Sequence, residues 1–150
     1  MTSTSIELPS DGACAFCDYL SGSRPYTILT RNEFTATLVT HEQRGIPHLL
    51  VLPVTHRAII TDLTDLEAKE VIIAVREAAR SIDRAYRRPG ISIWQNNGVS
   101  ANQTISHVHF HVAGTLDGGG TNWGEVEELP VGETDRIADR IRSARPDPRT

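Results

Sequence analysis

The run His107-Val108-His109-Phe110-His111-Val112 alternates imidazole with apolar side chains without interruption. A helix would scatter these residues around its axis, whereas a strand puts residues i, i+2 and i+4 on one face. The run therefore commits the chain to a sheet whose one face is apolar and whose other face carries three imidazoles, about 6–7 Å apart. Such a row suits either of two chemistries. It can hold a metal through imidazole nitrogens, or place one imidazole as a nucleophile with its neighbours serving the same phosphate. Solvation alone is a poor account of three alternating histidines.

The rest of the chain supplies partners for that strand. Residues 26–30 and 34–40 are rich in β-branched types, and Arg31-Asn32-Glu33 between them reads as a hairpin turn. His48-Leu49-Leu50-Val51-Leu52 is a short apolar strand ended by Pro53, and residues 91–94 and 106–113 complete five strands. Thr64 and Glu67 form a capping box in front of a helix over about 65–88. Val71, Ile72, Val75, Ala78, Ala79, Ile82 and Tyr86 keep the helical period, and Pro89-Gly90 stop it. A second, short helix is expected over 134–144. The pattern is α+β: one domain with a mainly antiparallel five-stranded sheet, one long helix and a short C-terminal helix. Residues 1–12 read as a flexible N-terminus, 13–115 as the domain, and 116–150 as a C-terminal extension.

Composition narrows the function by exclusion. The net charge of −4 gives no electrostatic footprint for nucleic acid polymers or an anionic membrane. The single lysine, Lys69, lies in the helical run, so a phosphate loop ending in Lys is excluded. At 5% aromatic residues the chain is a poor base-stacking reader of single strands. No apolar run approaches 18 residues, and the first residues lack a basic, then apolar, leader, so a cytoplasmic location is expected. All six histidines fall at positions 41–56 and 107–111, and both cysteines form one Cys14-x-x-Cys17. That pair reads as a disulfide, a redox motif or half of a zinc site. The reducing compartment disfavours the first, and the second lacks a thioredoxin-like context. Between residues 96 and 104, amides, a glycine and hydroxyls offer neutral donors to an anion.

These motifs together resemble the histidine-triad (HIT) family, whose signature is His-φ-His-φ-His-φ-φ with φ apolar. His107 to Ala113 fits it at every position, and Asn96, Gly98 and the Gln103-Thr104 pair lie where the family carries an amide, a glycine and Gln-Ser/Thr. His48-Leu49-Leu50-Val51-Leu52-Pro53, His56 and Cys14-Ala15-Phe16-Cys17 are similar to further family segments in matching order. The resemblance implies hydrolysis or nucleotidyl transfer at the α-phosphate of a nucleoside 5′-phosphate derivative, such as a phosphoramidate or dinucleoside polyphosphate. His109 would be the nucleophile, His111 a phosphate-oxygen donor and His48 an orienting neighbour. Asn96, Gly98, Gln103 and Thr104 would complete the phosphate cradle. It also implies a structural Zn²⁺ on Cys14, Cys17, His56 and His107, and a homodimer through the long helix and the 91–95 strand edge. One position departs: many members have an Asp for the ribose hydroxyls where this chain has Thr40, with His41 and Glu42 the adjoining polar candidates. That departure keeps a non-catalytic nucleotide-binding module in view, and a metalloenzyme using all three triad imidazoles as ligands is the third class.

Overall fold

The computed structural model describes residues 4–10 and 12–144. Helix α1 (Ala15–Ser21) precedes a hairpin of β1 (Thr27–Arg31) and β2 (Thr35–Val39), then β3 (His48–Pro53), helix α2 (Asp65–Tyr86), β4 (Ile91–Trp94), β5 (Phe110–Gly114) and helix α3 (Val131–Ser143). The strands form one sheet in the order β1-β2-β3-β5-β4, every neighbour antiparallel. β3 lies at its centre with all six residues buried. Its Leu49 and Val51 join Val112 under α2, through Val71, Val75, Ala78 and Ile82. The opposite face of β3 and β2 packs Leu50, Leu52, Ala36 and Leu38 against Phe16 and Leu20 of α1. The alternation read from the sequence thus becomes two cores, one on each side of the sheet.

Local chemistry fixes the ends of α2. Thr64 accepts the Glu67 amide at 3.1 Å while Glu67 accepts the Thr64 amide at 2.8 Å, and the same carboxylate takes Arg57 at 3.0 Å. The helix ends at Tyr86, two residues before the expected stop, because Arg87 turns left-handed at φ 51° ahead of Pro89. β5 also differs from expectation: it begins at Phe110, whereas the sequence pattern runs from 106. The 107–109 segment lies beyond the last β3 partner pair, Val51 with Phe110, and Pro53 has no amide to give. Val108 instead donates to the Arg57 carbonyl at 2.7 Å, and the His107 ring to the Pro53 carbonyl at 2.8 Å.

Both ends of the chain are more engaged than their composition indicates. Within the N-terminal stretch expected to be flexible, Glu7 accepts the Val99 amide at 2.8 Å and Pro9 accepts the Ser106 hydroxyl at 2.9 Å. Ile6 also fills the space beside Gly98: a Cβ there would lie 2.5 Å from its Cγ2. Short extended segments are held in this way when a neighbouring loop has amides to satisfy. Residues 1–3 of that stretch lie outside the described residues. At the other end, α3 starts three residues before the expected helix and puts Ala138 and Ile141 into the core under α2 and β1. Thr134 and Thr27 bond at 2.6 Å beneath it.

Ile82 has no exposed surface and sits where α2 meets the α3 side of the core. Truncation leaves a cavity that a close-packed interior cannot fill, so Ile82→Ala is expected to cost about 2–5 kcal/mol in urea unfolding. A loss below about 1 kcal/mol would contradict this packing.

Candidate active site and metal cluster

The histidine run divides into two groups. His107 turns its Nδ1 toward the cysteines, whereas His109 and His111 meet His48 on the other side of Phe16. His109 Nδ1 is 2.7 Å from the main-chain oxygen of His107. A carbonyl only accepts, so Nδ1 carries the proton and Nε2 keeps its lone pair. His109 is nearly buried, and burial lowers its pKa. Burial thus favours a neutral, fixed imidazole with Nε2 unprotonated, the form a nucleophile needs.

His48 and His111 share one short contact, Nε2 to Nδ1 at 2.9 Å. Burial pushes His48 down to about 4 and His111 to about 2, with the neighbouring imidazoles and Arg44 adding to the effect. Two main-chain groups meet the far nitrogen of His48: the Glu42 carbonyl at 3.0 Å and the Arg44 amide at 3.2 Å. The carbonyl favours a proton on His48 Nδ1 and the amide a lone pair there, so this turn meets either tautomer of the ring. Trp94, directly opposite His111 in the ladder, stacks on its ring at 4.6 Å and 4°. The close approach of the turn needs Gly114, where a Cβ would collide with the Ile46 carbonyl.

The second group is Cys14, Cys17, His56 and His107, whose donor atoms all lie within 4.8 Å of one another. Cys14 caps α1, which brings the Cys17 amide to its sulfur at 3.3 Å. Three edges of the cluster are 3.4 Å for Cys14 to His107, 3.5 Å for Cys17 to His56 and 3.7 Å for Cys17 to His107. A tetrahedron with zinc-like bonds of about 2.0–2.3 Å has edges of about 3.3–3.8 Å. His107 donates Nε2–H to Pro53, which fixes its tautomer and leaves Nδ1 free as a ligand. Burial, aided by Cys14, pushes the Cys17 thiol up to about 11, so a bound cation would have to displace its proton. Two thiols and two imidazoles on these edges fit zinc.

A cavity of about 180 Å³ opens in front of His109, lined also by His48, His111, Thr104 and Thr40. Thr104 thus lies beside the histidines. The other three loop candidates lie away from this lining. Gln103 is used inside its own loop, accepting the Gly98 amide at 2.7 Å and donating to the Ala58 and Ile105 carbonyls at 2.8 and 2.9 Å. Gly98 faces Ile6, and the carbonyl of Asn96 takes Gln95. Sequence reasoning missed the wall of the cavity. Tyr19 stacks on Tyr26 at 3.9 Å and Tyr26 on His41 at 4.3 Å, a column assembled from α1, the β1 side and the turn after β2. Glu128 reaches the same cavity from the extension. Neither has a local motif; both follow from tertiary packing.

The HIT domain model matches residues 22–117. The chain belongs to the HIT family. Among HIT relatives, the adenosine 5′-monophosphoramidase of Saccharomyces cerevisiae is 27% identical over 137 residues, spanning 90% of this chain and 82% of the yeast protein. A Hit-like protein of Bartonella henselae superposes with a TM-score of 0.82 at 22% identity, covering 91% of this chain and 99% of the other. A zinc-bound histidine-triad protein of Mycobacterium smegmatis superposes at 0.68 with 25% identity, over 87% and 94% of the two chains. Among the described residues, no helix is long and apolar enough to cross a membrane.

The buried HIT imidazoles make stability pH-dependent. Unfolded histidines take up protons near 6.5, whereas folded His48 and His111 resist them until far lower pH. The unfolded state therefore binds more protons as pH falls, and stability complete above 6.5 is lost on the way to about 4 for His48 and about 2 for His111. Each histidine is expected to remove about 1.5 kcal/mol between pH 6.5 and 5. Urea titrations of the wild type and His111→Asn should show a shallower slope in the variant; equal slopes would refute the depressed pKa.

Proposed function

We propose that this chain is a nucleotide hydrolase or nucleotidyl transferase working at the α-phosphate of a nucleoside 5′-phosphate derivative through a nucleotidyl-His109 intermediate. The observation that carries it is the His109 Nδ1–H bond to its own strand, 2.7 Å long, which leaves Nε2 unprotonated beside the His48–His111 pair. The yeast phosphoramidase relative supports a P–N bond as one bond cleaved. His109 Nε2 attacks phosphorus, the N–P bond forms, and the bond to the leaving nitrogen or oxygen breaks. Negative charge on the entering phosphate offsets the burial that keeps His111 neutral, so His111 takes a proton and passes it to the leaving atom. Water then attacks phosphorus, expels His109 and returns its proton to His111. Another acceptor in place of water makes the reaction a transfer.

Quenched intact-mass measurement with adenosine 5′-phosphoramidate is expected to show a nucleotidyl adduct on the wild type and none on His109→Ala. Turnover should fall by about 1000-fold or more in that variant, since a nucleophile has no substitute in the site. An unlabelled wild type that binds nucleotide would make the chain a binding module instead.

Cys14, Cys17, His56 and His107 would hold a structural zinc, whose closed coordination supplies folding energy and no open position for substrate. The zinc-bound mycobacterial neighbour supports this reading. The purified chain is expected to contain one zinc by elemental analysis. Cys14→Ser with Cys17→Ser should lose it, while His109→Ala keeps it. Metal retained by the double variant and lost with His109 would move the site to the triad. A homodimer is also our reading: β4 is a sheet edge with Ile93 50% exposed, and Leu66 and Ile72 of α2 are exposed as well.

A further inference from the structure

We propose that Glu128, from the segment beyond the HIT match, is the carboxylate that accepts the ribose hydroxyls of the bound nucleotide; this rests on the nucleotide reading above. A ribonucleotide held at its phosphate by His109 and His111 brings two neighbouring O–H donors into the same cavity. A carboxylate has two acceptor oxygens and takes both hydroxyls at once, in charge-assisted bonds.

Three oxygen-bearing side chains of the cavity wall already have a partner, and the unpartnered His41 Nε2 is a single atom where a diol needs two acceptors. Tyr26 Oη takes the His41 amide at 3.2 Å, and Thr40 Oγ1 takes the Glu42 amide at 3.3 Å. The Glu42 carboxylate takes Arg44 Nη2, also at 3.3 Å. Glu128 lines the cavity, and its side chain has no hydrogen bond or ion pair among the described residues. Its main chain is nevertheless fixed. Glu128 faces Glu42 in an antiparallel bridge, and the next residue, Leu129, donates to the His41 carbonyl at 2.9 Å. A free carboxylate on a held backbone, at the wall of the reacting cavity, is a ready acceptor for a diol. Thr40 cannot take that part, having one hydroxyl that is already an acceptor for the turn.

The test is calorimetric binding of AMP, 2′-deoxy-AMP and 2′,3′-dideoxy-AMP to the full chain, as wild type, Glu128→Gln and Glu42→Gln. The wild type is expected to bind AMP about tenfold or more tighter than the dideoxy form. Glu128→Gln should reduce that preference to about twofold or less by weakening AMP, with Glu42→Gln keeping the preference. A wild type indifferent to the hydroxyls, a preference that survives Glu128→Gln, or one lost in Glu42→Gln instead would each overturn the assignment. If all three nucleotides bind alike while His109 still forms its adduct, only the ribose assignment fails. If none binds and no adduct forms, the nucleotide reading fails with it.

Discussion

The His109 side chain bonds to the main chain of His107, the residue whose own ring points at two cysteines. Two residues of backbone therefore join the proposed nucleophile to the Cys/His cluster. The His107 ring is itself held by the Pro53 carbonyl, at the end of the central strand. A nucleophile placed this way needs no flexible loop to find its position. It inherits the rigidity of β3, and of α1 clamped over the strand end.

Burial is the second element of the design and works against the usual habit of phosphate sites. The cavity in front of His109 is walled mainly by imidazoles, hydroxyls and aromatic rings, with no lysine. Desolvation lowers the pKa of His48, His109 and His111, favouring the neutral imidazole that a base or nucleophile needs. Charge arrives only with the substrate. Arg44 stands at the margin, its guanidinium bonded to the Asn122 and Gly124 carbonyls and to Glu42, while its amide addresses His48. Positive charge is thus used to fix the turn that meets His48.

How much of this could be read in the sequence depends on whether the determinant was local. The Thr64–Glu67 box, the Ile91–Trp94 strand and the 110–112 part of the histidine strand are encoded within a few residues, and they stand where expected. The start of β5 was not legible, because it depends on Pro53 lying opposite, in a strand 54 residues earlier. Gln103 illustrates a different failure. Its position in the motif is clear, but an amide has four hydrogen-bonding sites, and only the fold shows which of them the loop consumes. The aromatic column of Tyr19, Tyr26 and His41 joins three elements with no common periodicity.

The extension beyond residue 117 draws these threads together. Its helix was legible in the sequence, but its engagement was not: α3 fills the core, and the 122–129 segment is bonded to the turn that carries His41 and Arg44. The turn is shared: its inner side orders His48, and its outer side receives the extension. A family unit matched over 22–117 can therefore keep its reacting histidines unchanged while a later segment remakes the wall that meets the rest of the substrate. Trp123 shows the same economy. It is 76% exposed, yet both flanking carbonyls are held by Arg44, and its ring lies 5.8 Å from Trp94, which stacks on His111. The triad imidazoles are placed by the central strands, whereas the wall around Glu128 is placed by which segment is laid against the turn.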